Sequence, residues 1–201
     1  MKKLKGLIVI LMIIAGAFQL QAQDFRIGLS LAPTINFNKA YLNINGSFVQ
    51  ADSLSGGGLG FKGGLWADYG FAKNYYLHSG IIIHNRKFNN DVFNMKITTV
   101  EVPFALKMRS NEVADNLRIL GFFGATLDIN VSAKQDSRIV TGDVNKLGSS
   151  LVFGAGAEYN VGFGNINLGL SYHMGMSDVM NDKNLKVKPN HLSIDFTFYF
   201  N

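Results

Sequence analysis

The stretch His191-Leu192-Ser193-Ile194-Asp195-Phe196-Thr197-Phe198-Tyr199-Phe200 decides how the chain reads. Leu192, Ile194, Phe196, Phe198 and Phe200 fall on one side. His191, Ser193, Asp195, Thr197 and Tyr199 fall on the other. Successive side chains of a strand point to opposite faces, so ten residues of unbroken period two describe a strand with one apolar and one polar face.

The same pattern recurs upstream. Phe25 to Phe37, Leu59 to Phe71, Tyr75 to Lys87, Lys96 to Arg109, Leu117 to Ala133, Leu151 to Val161 and Ile166 to Met176 all alternate. With the opening stretch they make eight amphipathic strands. Each is long enough to cross a bilayer at a tilt, which takes about 9–11 residues. Lys73-Asn74, Ser110 to Asn116 and Gly162 to Asn165 read as turns. Asn38 to Gly58, Asn89 to Asn94, Lys134 to Lys146 and Ser177 to Lys188 read as polar loops. With the amino terminus in the periplasm, the turns fall inside and the long loops outside. An even strand count with short inner turns is the pattern of an outer-membrane barrel. The expected fold is therefore all-β: an eight-stranded antiparallel up-and-down transmembrane β-barrel, both termini periplasmic.

Met1 to Ala22 reads as a signal peptide. Lys2, Lys3 and Lys5 form its basic head, and Leu7 to Phe18 is an apolar core too short to span a bilayer as a helix. The barrel domain then runs from Gln23 to Asn201. The formal charge of the whole chain is +5. Without the three leader lysines it is +2 and dispersed, which argues against nucleic-acid binding. With 0 cysteines, disulfides, thiolate metal sites and a cysteine nucleophile are excluded.

A soluble periplasmic ligand-binding barrel also alternates, with its apolar face inward. Side-chain size separates the two readings. The charged face also carries Gly28, Gly64, Gly80, Gly124, Gly154, Gly156 and Gly169. Small residues suit the narrow interior of eight strands. The other face is Leu, Ile, Val and Phe, which suits lipid. Phe25, Tyr69, Phe71, Tyr75, Tyr159, Phe198 and Phe200 gather toward the turn side as an interfacial girdle. The interior then holds a polar network of Arg26, Lys62, Asp68, Arg86, Glu101, Lys107, Arg118, Asp128, Glu158, His173 and Asp195, with Arg109, His78 and His84 on the same face. Burying unpaired ions costs several kcal/mol, so opposite charges are expected to pair into a plug.

Thr98 to Arg109, T-T-V-E-V-P-F-A-L-K-M-R, resembles a strand of PorT-like outer-membrane β-barrel proteins of the Bacteroidetes type. Glu101, Val102, Pro103 and Lys107 carry the likeness. Gly154, Gly156, Glu158 and Tyr159, then Leu170 and Tyr172, extend it. The resemblance implies an eight-stranded outer-membrane barrel, not the founding member's role in type IX secretion and gliding. The terminal aromatics of the last strand resemble the signal read by the outer-membrane assembly machinery, although Asn201 follows the last phenylalanine. Pro103 has no amide hydrogen, so a bulge or local break is expected there.

The function expected is non-enzymatic: a structural or interaction role, such as a component of a secretion or envelope complex. Its partners would be outer-membrane lipid, the assembly machinery during insertion, and envelope proteins reached through Asn38–Gly58 or Lys134–Lys146. No nucleic acid, metal or other cofactor is expected. The main alternative is an outer-leaflet lipid A-modifying enzyme. Ser171, His173 and Asp195 share a face on the last two strands and supply nucleophile, base and orienter in principle. His78 and His84 stand too far apart on one strand to share an ion.

Overall fold

The computed structural model describes residues 25–51, 55–89, 94–135 and 138–200. The expected leader, 1–22, lies outside them. Eight long strands follow one another: β1 (Phe25–Ile44), β3 (Gly57–Ala72), β4 (Tyr75–Asn89), β5 (Asn94–Ala114), β6 (Leu117–Gln135), β8 (Leu147–Asn160), β9 (Gly164–Gly175) and β10 (Leu185–Phe200). Two short strands, β2 (Ser47–Gln50) and β7 (Arg138–Ile139), fold back on β1 and β6 at the loop end. Each long strand pairs antiparallel with the next, and β10 pairs with β1, so the sheet closes into a barrel.

Directly opposed residues link strand to strand once round the ring. From Arg26 the path runs through Asp68, His78, Ala105, Gly124, Val152, His173 and His191. It returns to β1 at Asn36, ten residues further along. With ordinary strand spacing and rise, a stagger of ten over eight strands tilts the strands by about 40°.

The alternation sorts the faces as expected. Ile27, Leu29 and Leu31 are about half exposed on the outside, while Arg26, Lys62 and Asp68 are 5% exposed or less inside. On β1 the outward apolar run from Phe25 ends at Phe37, and Lys39 is the next outward residue. That run climbs roughly 30 Å, the thickness of a bilayer's apolar core.

The strands are longer at the loop end than their apolar faces predict. Asn38 to Gly58 is not a loop throughout: β1 continues to Ile44, turns at Asn45-Gly46 and returns as β2. Both turn residues have positive φ, 51° and 87°, the backbone of a type I′ hairpin turn. Lys134 to Lys146 also carries structure: β6 reaches Gln135, β7 pairs back, and Thr141–Asp143 makes one 3-10 turn. At the opposite end the turn expected over Ser110 to Asn116 shrinks to Asp115-Asn116. Register shifts after Arg109 and Glu112 let polar residues continue the ladder.

The break expected at Pro103 is present on one side. Ser79 pairs with Phe104 and Ile82 with Glu101 in constant register, but the two rungs between them are missing. The Ser79 hydroxyl donates instead to the Pro103 carbonyl at 2.7 Å. Pro33 leaves the same gap between the Leu31–Phe196 and Thr34–Ser193 rungs of the closing seam.

A small apolar cluster sits at the loop end. Phe88, Met95, Ile97 and Ala133, inward residues of β4 to β6, pack with Val144 and Val179. Asn145 ties the two loops together, its side-chain amide donating to the carbonyls of Asp178 (2.9 Å) and Met180 (3.0 Å).

Candidate functional site: a charge-filled lumen

The inward positions of eight strands converge on a narrow axis, and the side chains there fill it. Five cations (Arg26, Lys62, Arg86, Lys107 and Arg109) meet five carboxylates (Asp68, Glu101, Asp128, Glu158 and Asp195). The balance matters because an unpaired ion in this setting costs several kcal/mol.

Toward the turn end, Asp68 accepts from Arg26 (3.0 Å) and Lys107 (2.7 Å), and the His78 Nδ1 lies 2.5 Å away. Glu158 accepts from Arg26 (2.9 Å) and Arg109 (2.8 Å). Tyr76 and Tyr199 lie against these cations: the Arg26 guanidinium is 4.9 Å from one ring centre and 5.0 Å from the other. Arg109 also donates to the Tyr76 hydroxyl.

Toward the loop end, Arg86 donates to Glu101 at 2.6 Å and lies 3.5 Å from Asp128. Ser150 donates to Asp128 at 2.6 Å and Thr126 at 2.9 Å. Lys62 sits 3.1 Å from Asp195, 3.4 Å from the Ser171 hydroxyl and 3.3 Å from His173 Nε2. Between the two groups lies a cavity of about 40 Å³, bordered by Trp66, His78, Phe122 and Asp195. It has room for a few waters. Trp66 stacks on His78 with ring centres 4.0 Å apart. The Phe122 ring occupies the space where a Cβ on Gly154 would be, 2.2 Å from its nearest carbon. This glycine is what lets a bulky ring fill the lumen.

Of the residues expected in the polar network, ten meet inside. Arg118 does not. Its side chain is 28% exposed at the turn-end rim and pairs with Glu112 at 2.9 Å. Strict alternation places Arg118 inward, but it lies beside the irregular end of β5, where Glu112 is available in water. His191 was the main omission: it stacks on His173 (4.1 Å) and meets His84 edge-on (4.4 Å). Its place on the polar face of β10 was visible, but its neighbours depend on the stagger.

Two groups of lumen residues combine side chains that could carry chemistry. His84, Glu101 and His191 bring ligand-type atoms within 4.8 Å of one another. Arg86, however, places Nε 3.1 Å from His84 Nδ1 and Nη2 2.6 Å from Glu101. A divalent cation there would share its ligands with a guanidinium, so the group reads as an ion-paired histidine stack. Ser171, His173 and Asp195 do converge, but around Lys62. The Ser171 hydroxyl pairs with Ser193 at 2.7 Å, and Lys62 Nζ lies against His173 Nε2. A serine nucleophile needs its base within hydrogen-bond reach and free to take the proton.

The chain resembles solved outer-membrane proteins at low identity. For the Yersinia pestis attachment invasion locus protein Ail, solved with sucrose octasulfate, identity is 16%, covering 87% of this chain and 99% of that one, with a TM-score of 0.42. For Neisserial surface protein A the values are 15%, 84%, 95% and 0.46. For OprG from Pseudomonas aeruginosa they are 11%, 87%, 96% and 0.45. No curated protein matches the chain. A family model described as an outer membrane protein beta-barrel domain matches residues 21–181, and the chain belongs to that family.

Proposed function

We propose that this outer-membrane barrel is a non-enzymatic interaction component of the envelope, closed to solute flow, with its turn end and both termini in the periplasm. The single observation that carries this reading is the lumen. Ion pairs join strands across the barrel, as Arg26 on β1 does to Glu158 on β8, and an apolar cluster sits at the loop end. Such an interior holds shape rather than conducts. What remains for function is the loop end. At a rise of ~3.3 Å and a tilt of about 40°, the 20 residues of β1 climb about 50 Å, beyond a bilayer core of about 30 Å. The projecting β1–β2 hairpin and the β6–β7 turn are the surfaces offered to envelope partners. The PorT-like likeness of Thr98 to Arg109 supports the barrel alone; membership of a secretion or envelope complex rests on these projecting surfaces.

Affinity capture from solubilised outer membranes tests the proposal, using the full chain and a variant lacking residues 45–50. A partner held by the full chain and lost from the variant is the expected result. Reconstitution in planar bilayers is expected to give no stepwise conductance. A lipid A profile that changes when the protein is deleted, and is restored by wild type but not by Ser171→Ala, would replace this reading with the lipid-modifying one.

A further inference from the structure

Lysines on the outer surface are arranged in a way the fold alone does not explain. Lys87, Lys96 and Lys134 lie side by side on β4, β5 and β6, with Lys87 directly opposite Lys96 and Lys96 directly opposite Lys134. All three are exposed. Directly opposed residues stand about 5 Å apart at Cβ on one face, and like charges in that relation destabilise a sheet. Among the described residues no carboxylate relieves them: none of the three makes a salt bridge.

The third lysine reaches this row through an irregularity. On β6, strict alternation from Asp128 would send Lys134 into the lumen. The register shifts by one residue between the Thr98–Ser132 and Thr99–Asn130 pairs. The extra residue, Val131, turns Ser132 outward, Ala133 inward and Lys134 outward beside Lys96. A bulge re-aims the side chains beyond it. Across the ring, Lys39 and Lys188 face each other over the closing seam, one outward position past the Phe37 limit of the apolar run. Lysines therefore collect where the lipid-facing surface gives way to polar residues, at the loop end.

We propose that Lys87, Lys96 and Lys134 form a binding site for the phosphorylated headgroup of an outer-leaflet glycolipid. Three ammonium groups at neighbouring-strand spacing can converge on one phosphate, while the acyl chains lie against the apolar wall below. The second lysine pair marks the same depth on the far side. Naming the outer leaflet rests on the orientation proposed above; the phosphate chemistry does not.

The full-length protein, refolded in detergent, is titrated with bis-phosphorylated lipid A, with the same lipid stripped of phosphate, and with inorganic phosphate, read by native mass spectrometry. The phosphorylated lipid is expected to bind, the stripped lipid and free phosphate far more weakly. At about 1 kcal/mol for each basic residue near a charged lipid surface, the Lys87→Gln/Lys96→Gln/Lys134→Gln variant loses roughly a hundredfold in affinity. The corresponding triple arginine variant keeps binding. Folding of each variant is checked by its heat-dependent gel shift. If the triple variant does not fold, Lys96→Gln alone is read, with a loss of roughly fivefold. Equal binding of phosphorylated and stripped lipid, or unchanged binding by the glutamine variants, overturns the site. Free phosphate binding as tightly as the lipid overturns the lipid as its source. The orientation is decided separately by labelling an Asn45→Cys variant in intact cells, the natural chain having 0 cysteines.

Discussion

Asp68 binds Arg26, Lys107 and His78 through its two carboxylate oxygens, and the Tyr199 hydroxyl donates to it at 3.3 Å. It is fully buried. Asp68→Asn keeps the shape and removes the charge that holds two cations in place. Lys107 then keeps no carboxylate as close, while Arg26 retains Glu158. Breaking a buried pair from one side costs about 3 to 5 kcal/mol. The expected result is a lower urea midpoint for Asp68→Asn, read by fluorescence of Trp66, the chain's 1 tryptophan, against the His78 ring. Glu112→Gln, which touches only the exposed pair with Arg118, is the control and shifts stability by less than about 1 kcal/mol. Equal shifts for the two variants would show that the lumen pairs do not govern stability.

At the scale of the strand, proline and hairpin chemistry shape what alternation alone leaves open. Ser79 donates to the Pro103 carbonyl, so that edge of Pro103 faces β4, where the rungs are missing. Pro103→Ala supplies the absent donor on the same edge. The variant is expected to gain up to about 1 kcal/mol, measured by urea unfolding in lipid vesicles, with slower amide exchange at the new rung. A loss of stability would mean that the gap is needed for the barrel's local twist. Much at this scale was legible beforehand. Period two located eight strands, and the missing amide of Pro103 located the break. The extension of β1 was missed because polar residues from Asn38 onward look like a loop once the membrane no longer demands an apolar face. Asn45-Gly46 was the available signal, a pair suited to a type I′ turn between paired strands. The outward turn of Lys134 was not legible, since one extra residue on β6 leaves no mark in composition.

For the whole molecule, closure is the condition of stability. Backbone donors and acceptors at membrane depth must find partners within the protein, and here the closed sheet supplies nearly all of them. A chain ending at Asn184 lacks β10, and the facing edges of β1 and β9 then lose their ladders. This truncation is expected to abolish the heat-dependent gel shift rather than reduce it. A truncated chain that still shifts would require β9 to close directly on β1. The same global geometry explains the limit of reading the lumen from sequence. Which residues face inward follows from alternation, and ten of the eleven named in the network do meet there. Which cation meets which carboxylate depends on the stagger of ten around the ring. That is why Arg26 meets both Asp68, its direct partner on β3, and Glu158, across the barrel on β8.

The division between a generic outside and a specific inside also governs how such a chain can change over generations. An outward position such as Leu29 or Ile194 asks only for an oily side chain, so substitutions there can accumulate one at a time and independently. An inward position such as Glu158 answers to Arg26 and Arg109 together. A neutral path through it needs compensating changes on other strands. The wall is free to drift, while the lumen moves only in concerted steps.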